Sequence, residues 1–107
     1  MKNFSVDIYF KGNKYNVTLA QVLMLKRMID QNSIIYRIQI EKQQDIRSIH
    51  ALHKKGFITV TGKFNEWKAK VTPDGEEFFK VAYKLMIKTS KDRGYEGIER
   101  FISTSAS

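Results

Sequence analysis

The chain has no cysteine, which excludes disulfide bridges and thiolate metal sites and fits the reducing interior of a cell. No apolar run approaches the roughly 18 residues of a membrane-spanning helix. The start lacks the basic, apolar and small-residue zones of a cleavable signal. A cytoplasmic protein is therefore expected. Internal repeats, flexible linkers and low-complexity segments are all missing, so the 107 residues are expected to form one domain around one core. There is no glycine-rich phosphate loop and no nucleophile elbow. His50 and His53 are three residues apart and have no convergent third ligand, whereas the zincin pattern needs four-residue spacing and an intervening glutamate. The carboxylates Asp74, Glu76 and Glu77 stand where a helix start is expected, which already accounts for them. No catalytic site, metal or cofactor is expected.

What the chain does contain is an ordinary folding composition, 42% hydrophobic with seven Phe, five Tyr and one Trp, and a large excess of positive charge. The formal net charge is +8, from 19 basic and 11 acidic residues. Such a balance favours a polyanionic partner, nucleic acid first and an anionic membrane second. The charge is unevenly spread. Between Lys54 and Lys70 five lysines (Lys54, Lys55, Lys63, Lys68, Lys70) face one acid, Glu66, a local excess of 5 − 1 = +4.

The stretch Asp45 to Val71 organises the reading. Ile46, Ile49 and Leu52 recur every three residues and mark one face of a helix, with Arg47, Ser48, Ala51 and Lys54 placed opposite. Asp45 suits an N-cap, and Lys54-Lys55-Gly56 supplies cations and then a glycine at the helix end. Phe57–Thr61 and Trp67–Val71 are β-prone runs joined by Gly62-Lys63-Phe64-Asn65-Glu66. A helix followed at once by a basic hairpin is the working end of a winged helix.

Before this stretch, Phe4, Val6, Ile8 and Phe10 alternate with polar residues as in a half-buried strand, and Lys11-Gly12-Asn13 turns the chain into a short partner strand, Tyr15–Val17. This hairpin either covers the core or offers an edge for pairing. Thr18 and Gln21 form a capping box for a helix running from Leu19 to about Gln31. Its apolar face is Leu19, Val22, Leu23, Leu25, Met28 and Ile29, and its wet side Gln21, Lys26, Arg27 and Asp30.

Residues Ser33 to Gln44 read two ways. Tyr36, Ile38 and Ile40 alternate as in a strand, which their propensities favour. Ile34, Ile35 and Ile38 equally fit a short helix capped by Ser33, which a helix-turn-helix requires here, with Ile40 filling the turn. The helix is adopted as the expectation.

After the hairpin, Thr72-Pro73-Asp74-Gly75-Glu76-Glu77 opens a long helix: a capping threonine, proline at the first helical position, then acids. Phe78, Phe79, Ala82, Leu85 and Met86 form its buried side, widened by Val81, Tyr83 and Ile87. That breadth points to a homodimer through this helix or to plain core packing. In the tail, Tyr95, Ile98, Phe101 and Ile102 make a weak amphipathic pattern between Gly94, Gly97 and a fraying Ser103–Ser107 end.

The pattern Ile46-x-x-Ile49-x-x-Leu52-x-Lys54-Lys55-Gly56-Phe57-Ile58, a basic hairpin, then Val71-Thr72-Pro73-Asp74-Gly75-Glu76 resembles bacterial winged helix-turn-helix regulators of the MarR and PadR kind. The resemblance covers about Thr18 to Leu85. It implies an α+β fold: residues 18–72 as a three-helix core with a β-hairpin wing, residues 1–17 as an added hairpin, and residues 73–107 as an added helix and tail. It also implies a nucleoid-associated transcription regulator. The chain departs from the MarR pattern in three ways. The wing holds lysines and no Asp-x-Arg pair, the chain is shorter, and it opens with strands, so no effector-sensing role is inferred. The size suits a small regulator of a phage or mobile element.

Under this resemblance the helix 45–55 enters the major groove of duplex DNA. Gln43, Gln44, Arg47 and Ser48 face base edges beside Ala51; glutamine can pair with adenine and arginine with guanine. Lys54, Lys55, Lys63, Lys68 and Lys70 reach phosphates, and Asn65 enters a minor groove. The rival expectation is a protein-binding winged helix anchored by Trp67 and Phe64. RNA binding would use the same basic surface, but no paired aromatic platform accompanies it.

Overall fold

The computed structural model of the chain describes residues 4–63, 66–92 and 94. Among these residues the fold is α+β: three α-helices and two small antiparallel sheets. The chain opens with a hairpin, β1 (Ser5–Phe10) and β2 (Asn13–Thr18), paired from Ser5↔Thr18 to Phe10↔Asn13. Its two loop residues, Lys11 and Gly12, both have positive φ, +49° and +81°. That is the twist a two-residue hairpin loop needs.

Helix α1 (Leu19–Asp30) starts on the expected capping box: the Gln21 amide donates to the Thr18 hydroxyl at 3.2 Å, and the Thr18 amide to the Gln21 side chain at 3.3 Å. Leu19, Val22, Leu25 and Met28 are buried as expected, and so is Met24. Lys26, expected on the wet side, is also buried. Its stem lies in the core while Nζ reaches Asp30 Oδ2 at 2.8 Å, so the charge stays paired at the rim.

The expected short helix at Ile34–Ile40 is corrected to a strand and a single turn. β3 (Ile34–Tyr36) pairs with a later strand, and only Arg37–Gln39 forms one turn of 3-10 helix. Ser33 is not a helix cap. Its φ is +65°, its hydroxyl donates to Glu76 at 2.8 Å, and its carbonyl accepts from Val71 N–H at 2.8 Å. An open strand edge, supplied from far along the chain, satisfies this backbone better than an isolated helical turn of β-branched residues. Ile40 is buried, as the expected turn required.

Helix α2 (Gln43–Lys54) begins three residues earlier than the Asp45 cap implied; Lys42 occupies the cap position and Asp45 lies in the first turn. The helix ends at Lys55, and Gly56 follows with φ +85°. β4 (Ile58–Thr61) and β5 (Lys68–Val71) form the expected hairpin, and the second sheet has the order β3-β5-β4. Gly62, with φ +111°, leaves the end of β4 so close to the returning strand that a Cβ would lie 2.8 Å from Glu66 O.

Helix α3 (Pro73–Asp92) opens as its sequence implied, with Gly75 N–H donating to the Thr72 hydroxyl at 3.0 Å. Gly75 lies against the backbone of Phe57, where a Cβ would stand 2.1 Å from the Phe57 carbonyl oxygen. Phe78, Ala82 and Met86 are fully buried within the protomer. A contact with a second copy is therefore left with Phe79, Val81, Tyr83, Leu85 and Ile87, of which Val81 is exposed and the others half-buried. Phe64, Asn65 and the amphipathic pattern of the tail lie outside the described residues.

One buried cluster runs through all of these elements. The N-terminal hairpin covers the core: Phe4, Val6, Ile8 and Val17 are buried, and Phe10 and Tyr15 join Phe57 and Phe78 in a four-ring cluster. Phe57 and Phe78 stack at 4.0 Å with planes 17° apart. Phe57→Ala is expected to cost about 3–5 kcal/mol and Gly75→Ala about 1–3 kcal/mol. Urea denaturation followed by circular dichroism checks both; an unchanged midpoint for Gly75→Ala would contradict the close packing described.

Candidate nucleic-acid interface

Helix α2 packs on α1 and β4, which buries Ile49 and Leu52 and half-buries Ile46. The opposite side is wet. Gln43, Arg47, His50 and Lys54 are all exposed, and their spacings of four, three and four residues place them in one stripe along the outer face. Gln44 and His53 are exposed on either flank. This geometry revises the expected site in two places. Ser48 is buried, and its hydroxyl donates back to the Gln44 carbonyl at 3.2 Å, so it faces the core rather than a ligand. Ala51 and Lys55 are half-buried at the edge of the stripe. His50 takes the central outward position; its place three residues after Arg47 and seven after Gln43 was the signal for it.

The start of α2 is held by α1. The Arg27 guanidinium lies 3.6 Å from the Asp45 carboxylate and donates to the Gln39 carbonyl at 2.8 Å. Asp45, the acid of the first helical turn, is thereby paired with a cation of α1.

The hairpin lysines occupy a different surface. Alternation along β5 buries Ala69 and Val71 and exposes Lys68 and Lys70. The register sets Tyr36, Lys68 and Thr61 in one row across the sheet and Ile34, Lys70 and Thr59 in the next. The sheet turns this side outward and its Ile35, Ala69, Val71 and Ile58 side into the core. Lys63 is exposed just beyond Gly62. Asn65, expected at the tip, lies outside the described residues. The expected phosphate contacts thus divide between the end of α2, the hairpin beyond β4 and the outer face of the sheet.

Trp67 is 7% exposed and sits at the root of the hairpin, its ring 6.4 Å from His50 and its carbonyl accepting from Arg37 N–H at 2.9 Å. It joins the hairpin to α2 and is no surface anchor. The exposed apolar side chains near this region are Tyr36 at 48% and Ile38 at 89%. Propensity alone gave no warning of Ile38, because its exposure follows from the 3-10 turn that replaced the expected helix.

Electrostatics sets the surface apart. Ion pairs join Lys11 to Asp74 and Glu77, Lys14 to Asp7, Lys26 to Asp30 and Arg27 to Asp45. Arg47, Lys54, Lys55, Lys63, Lys68 and Lys70 have no acidic partner among the described residues. Burial, and then the neighbouring Lys54 charge, lowers the pKa of Lys55 below the usual lysine value. The described residues hold no group of three or more His, Asp or Glu able to bind a metal ion, and no helix long and apolar enough to cross a membrane. No protein-family model matches the chain, and no curated protein or solved structure is significantly similar to it.

A lysine whose folded pKa is depressed binds fewer protons folded than unfolded between the two values, so its charge opposes folding at neutral pH. That opposition fades as pH rises through the folded pKa towards the ordinary lysine value of 10.5. Lys55→Met is expected to be more stable than the parent at pH 7, with the difference shrinking as pH approaches 10. Urea midpoints of both proteins across that range test it; a constant difference would contradict the assignment.

Proposed function

We propose that the chain binds double-stranded DNA as a winged helix-turn-helix, with the outer stripe of α2 in the major groove and the basic hairpin on flanking phosphates. The observation that carries this reading is that Arg47, Lys54, Lys55, Lys63, Lys68 and Lys70 have no acidic partner among the described residues, while Lys11, Lys14, Lys26 and Arg27 pair with carboxylates elsewhere. Element order supports the fold part: α1, the segment 34–42, α2 and the β4–β5 hairpin run as in a winged helix, with one 3-10 turn where the middle helix is expected.

In this arrangement Gln43, Gln44 and Arg47, on the N-terminal half of α2, meet base edges. Lys54 and Lys55 follow at the C-terminal end and neutralise phosphates. Bound phosphate also relieves the mutual repulsion of Lys54 and Lys55. Lys63, Lys68 and Lys70 extend phosphate contact along the hairpin and the sheet's outer face. The proposed role is that of a transcription regulator.

A second reading has its own observation. Ile38 projects almost fully into solvent from a turn pinned by hydrogen bonds: Tyr36 N–H to the Gln39 side chain at 2.8 Å, Arg37 Nη1 to Ile40 O at 2.9 Å, and Gln39 Nε2 to Gln31 at 3.2 Å. A rigid apolar projection beside Tyr36 suits a protein-binding module. Ile38→Ser would then abolish partner capture and leave DNA affinity alone.

Fluorescence anisotropy with random-sequence duplex DNA at several salt concentrations tests the main reading. Contact with about four to six phosphates gives a log K against log salt slope of about −4 to −5. The Arg47→Glu, Lys54→Glu variant is expected to bind at least about tenfold more weakly, with a slope shallower by about 1 for the phosphate contact of Lys54. Ser48→Ala should change neither. Absence of binding at low salt would sink the proposal.

A further inference from the structure

The helix α3 carries a second basic surface. Lys80, Lys84 and Lys88 are exposed and recur at four-residue spacing, which sets them in a single stripe about 12 Å long on the face turned from the core. Surface lysines on helices are commonly balanced by acids one turn away. Here the acids of the first turns are directed elsewhere: Asp74 and Glu77 to Lys11 of the N-terminal hairpin at 2.6 and 3.2 Å, and Glu76 to the Ser33 hydroxyl at 2.8 Å. Lys80, Lys84 and Lys88 have no acidic partner among the described residues. Like charges stacked at this spacing repel one another and weaken the helix that holds them.

Helices α2 and α3 each pack on α1, and each turns its own outer side away from it. The stripe of α3 thus lies on a different helix from the stripe of α2, one that packs on β1 and β5 where α2 packs on β4. We propose that it is a second duplex-binding surface, so that one molecule holds two DNA segments at once. This rests on the DNA-binding reading given above. Charge complementarity fixes the occupant: a ladder of point charges without arginine suits phosphate contact without base reading. An anionic membrane fits less well. Interfacial helices insert a broad apolar face, whereas Phe78, Ala82 and Met86 are committed to the core and Val81 is the exposed apolar residue beside the stripe.

The test uses the full chain and two random-sequence duplexes, one fixed to beads and one free and fluorescent. Beads saturated with protein are washed and offered the labelled duplex. The wild type is expected to retain it. The Lys80→Glu, Lys84→Glu, Lys88→Glu variant should keep its affinity for a single duplex within about twofold and lose at least about tenfold in capture of the second. A companion variant with glutamine at the same positions should lose capture in the same direction, which separates lost contact from new repulsion. Capture unchanged in both variants would overturn the proposal, as would equal losses in single-duplex affinity and in capture. Wild type that binds the first duplex but never the second would overturn it while leaving the DNA-binding reading intact. Failure to bind even the first duplex would instead remove that reading.

Discussion

Phe57 follows the glycine that ends α2 and precedes the first residue of β4, and four parts of the chain meet on it. Its amide donates to Leu52 O at 3.1 Å and its carbonyl accepts from Thr72 N–H at 3.0 Å, which ties the last turn of α2 to the residue before α3. Thr72 closes the junction by donating its hydroxyl to Gly56 O at 3.0 Å while accepting from Gly75 N–H. The ring then stacks on Phe78 of α3 and meets Tyr15 of the N-terminal hairpin at 4.9 Å. The stripe on α2, the basic hairpin and the lysine ladder of α3 have fixed relative positions because all three elements are anchored within a few residues of this contact. Aromatic pairs of this kind add to plain burial through their ring geometry.

Much of the local architecture was legible because its determinants are local. Thr18 and Gln21 form a reciprocal cap within a single turn, Lys11 and Gly12 twist a two-residue loop, and Pro73 with its neighbouring acids opens a helix. The segment 34–40 was not legible, because its state depends on β5, more than thirty residues away. A run of isoleucines is compatible with either conformation until that edge is in place. Burial of individual polar residues was equally hidden. Ser48 looks like any surface serine, yet the packing of α2 draws it inward and its hydroxyl is satisfied within the helix. Lys26 looks like a solvated cation, yet its length lets the stem enter the core while the ammonium reaches Asp30. The purpose of the N-terminal hairpin was open for the same reason: its aromatic partners lie at positions 57 and 78.

The charge pattern follows a consistent division. Acids pair where elements must be clasped, as Asp45 clasps α2 to α1 and Asp74 and Glu77 clasp α3 to the hairpin turn. Such exposed contacts contribute little stability each. Their larger effect is positional, since they occupy the carboxylates that would otherwise neutralise nearby lysines. Lys54, Lys63, Lys68, Lys70, Lys80, Lys84 and Lys88 are left without an acidic partner among the described residues, and the chain's net charge of +8 is of the sign that attracts polyanions.

The ring cluster also constrains when the protein can assemble. It joins side chains from residues 10, 15, 57 and 78, and the last of these lies deep in the third helix. During synthesis the first hairpin is made before Phe57 and Phe78, the ring partners of its Phe10 and Tyr15. The ring cluster cannot close before residue 78 has been made, and closure waits on contacts of long sequence separation, which form slowly. Assembly of the core is thus a late event that completes the hairpin, the junction and α3 together.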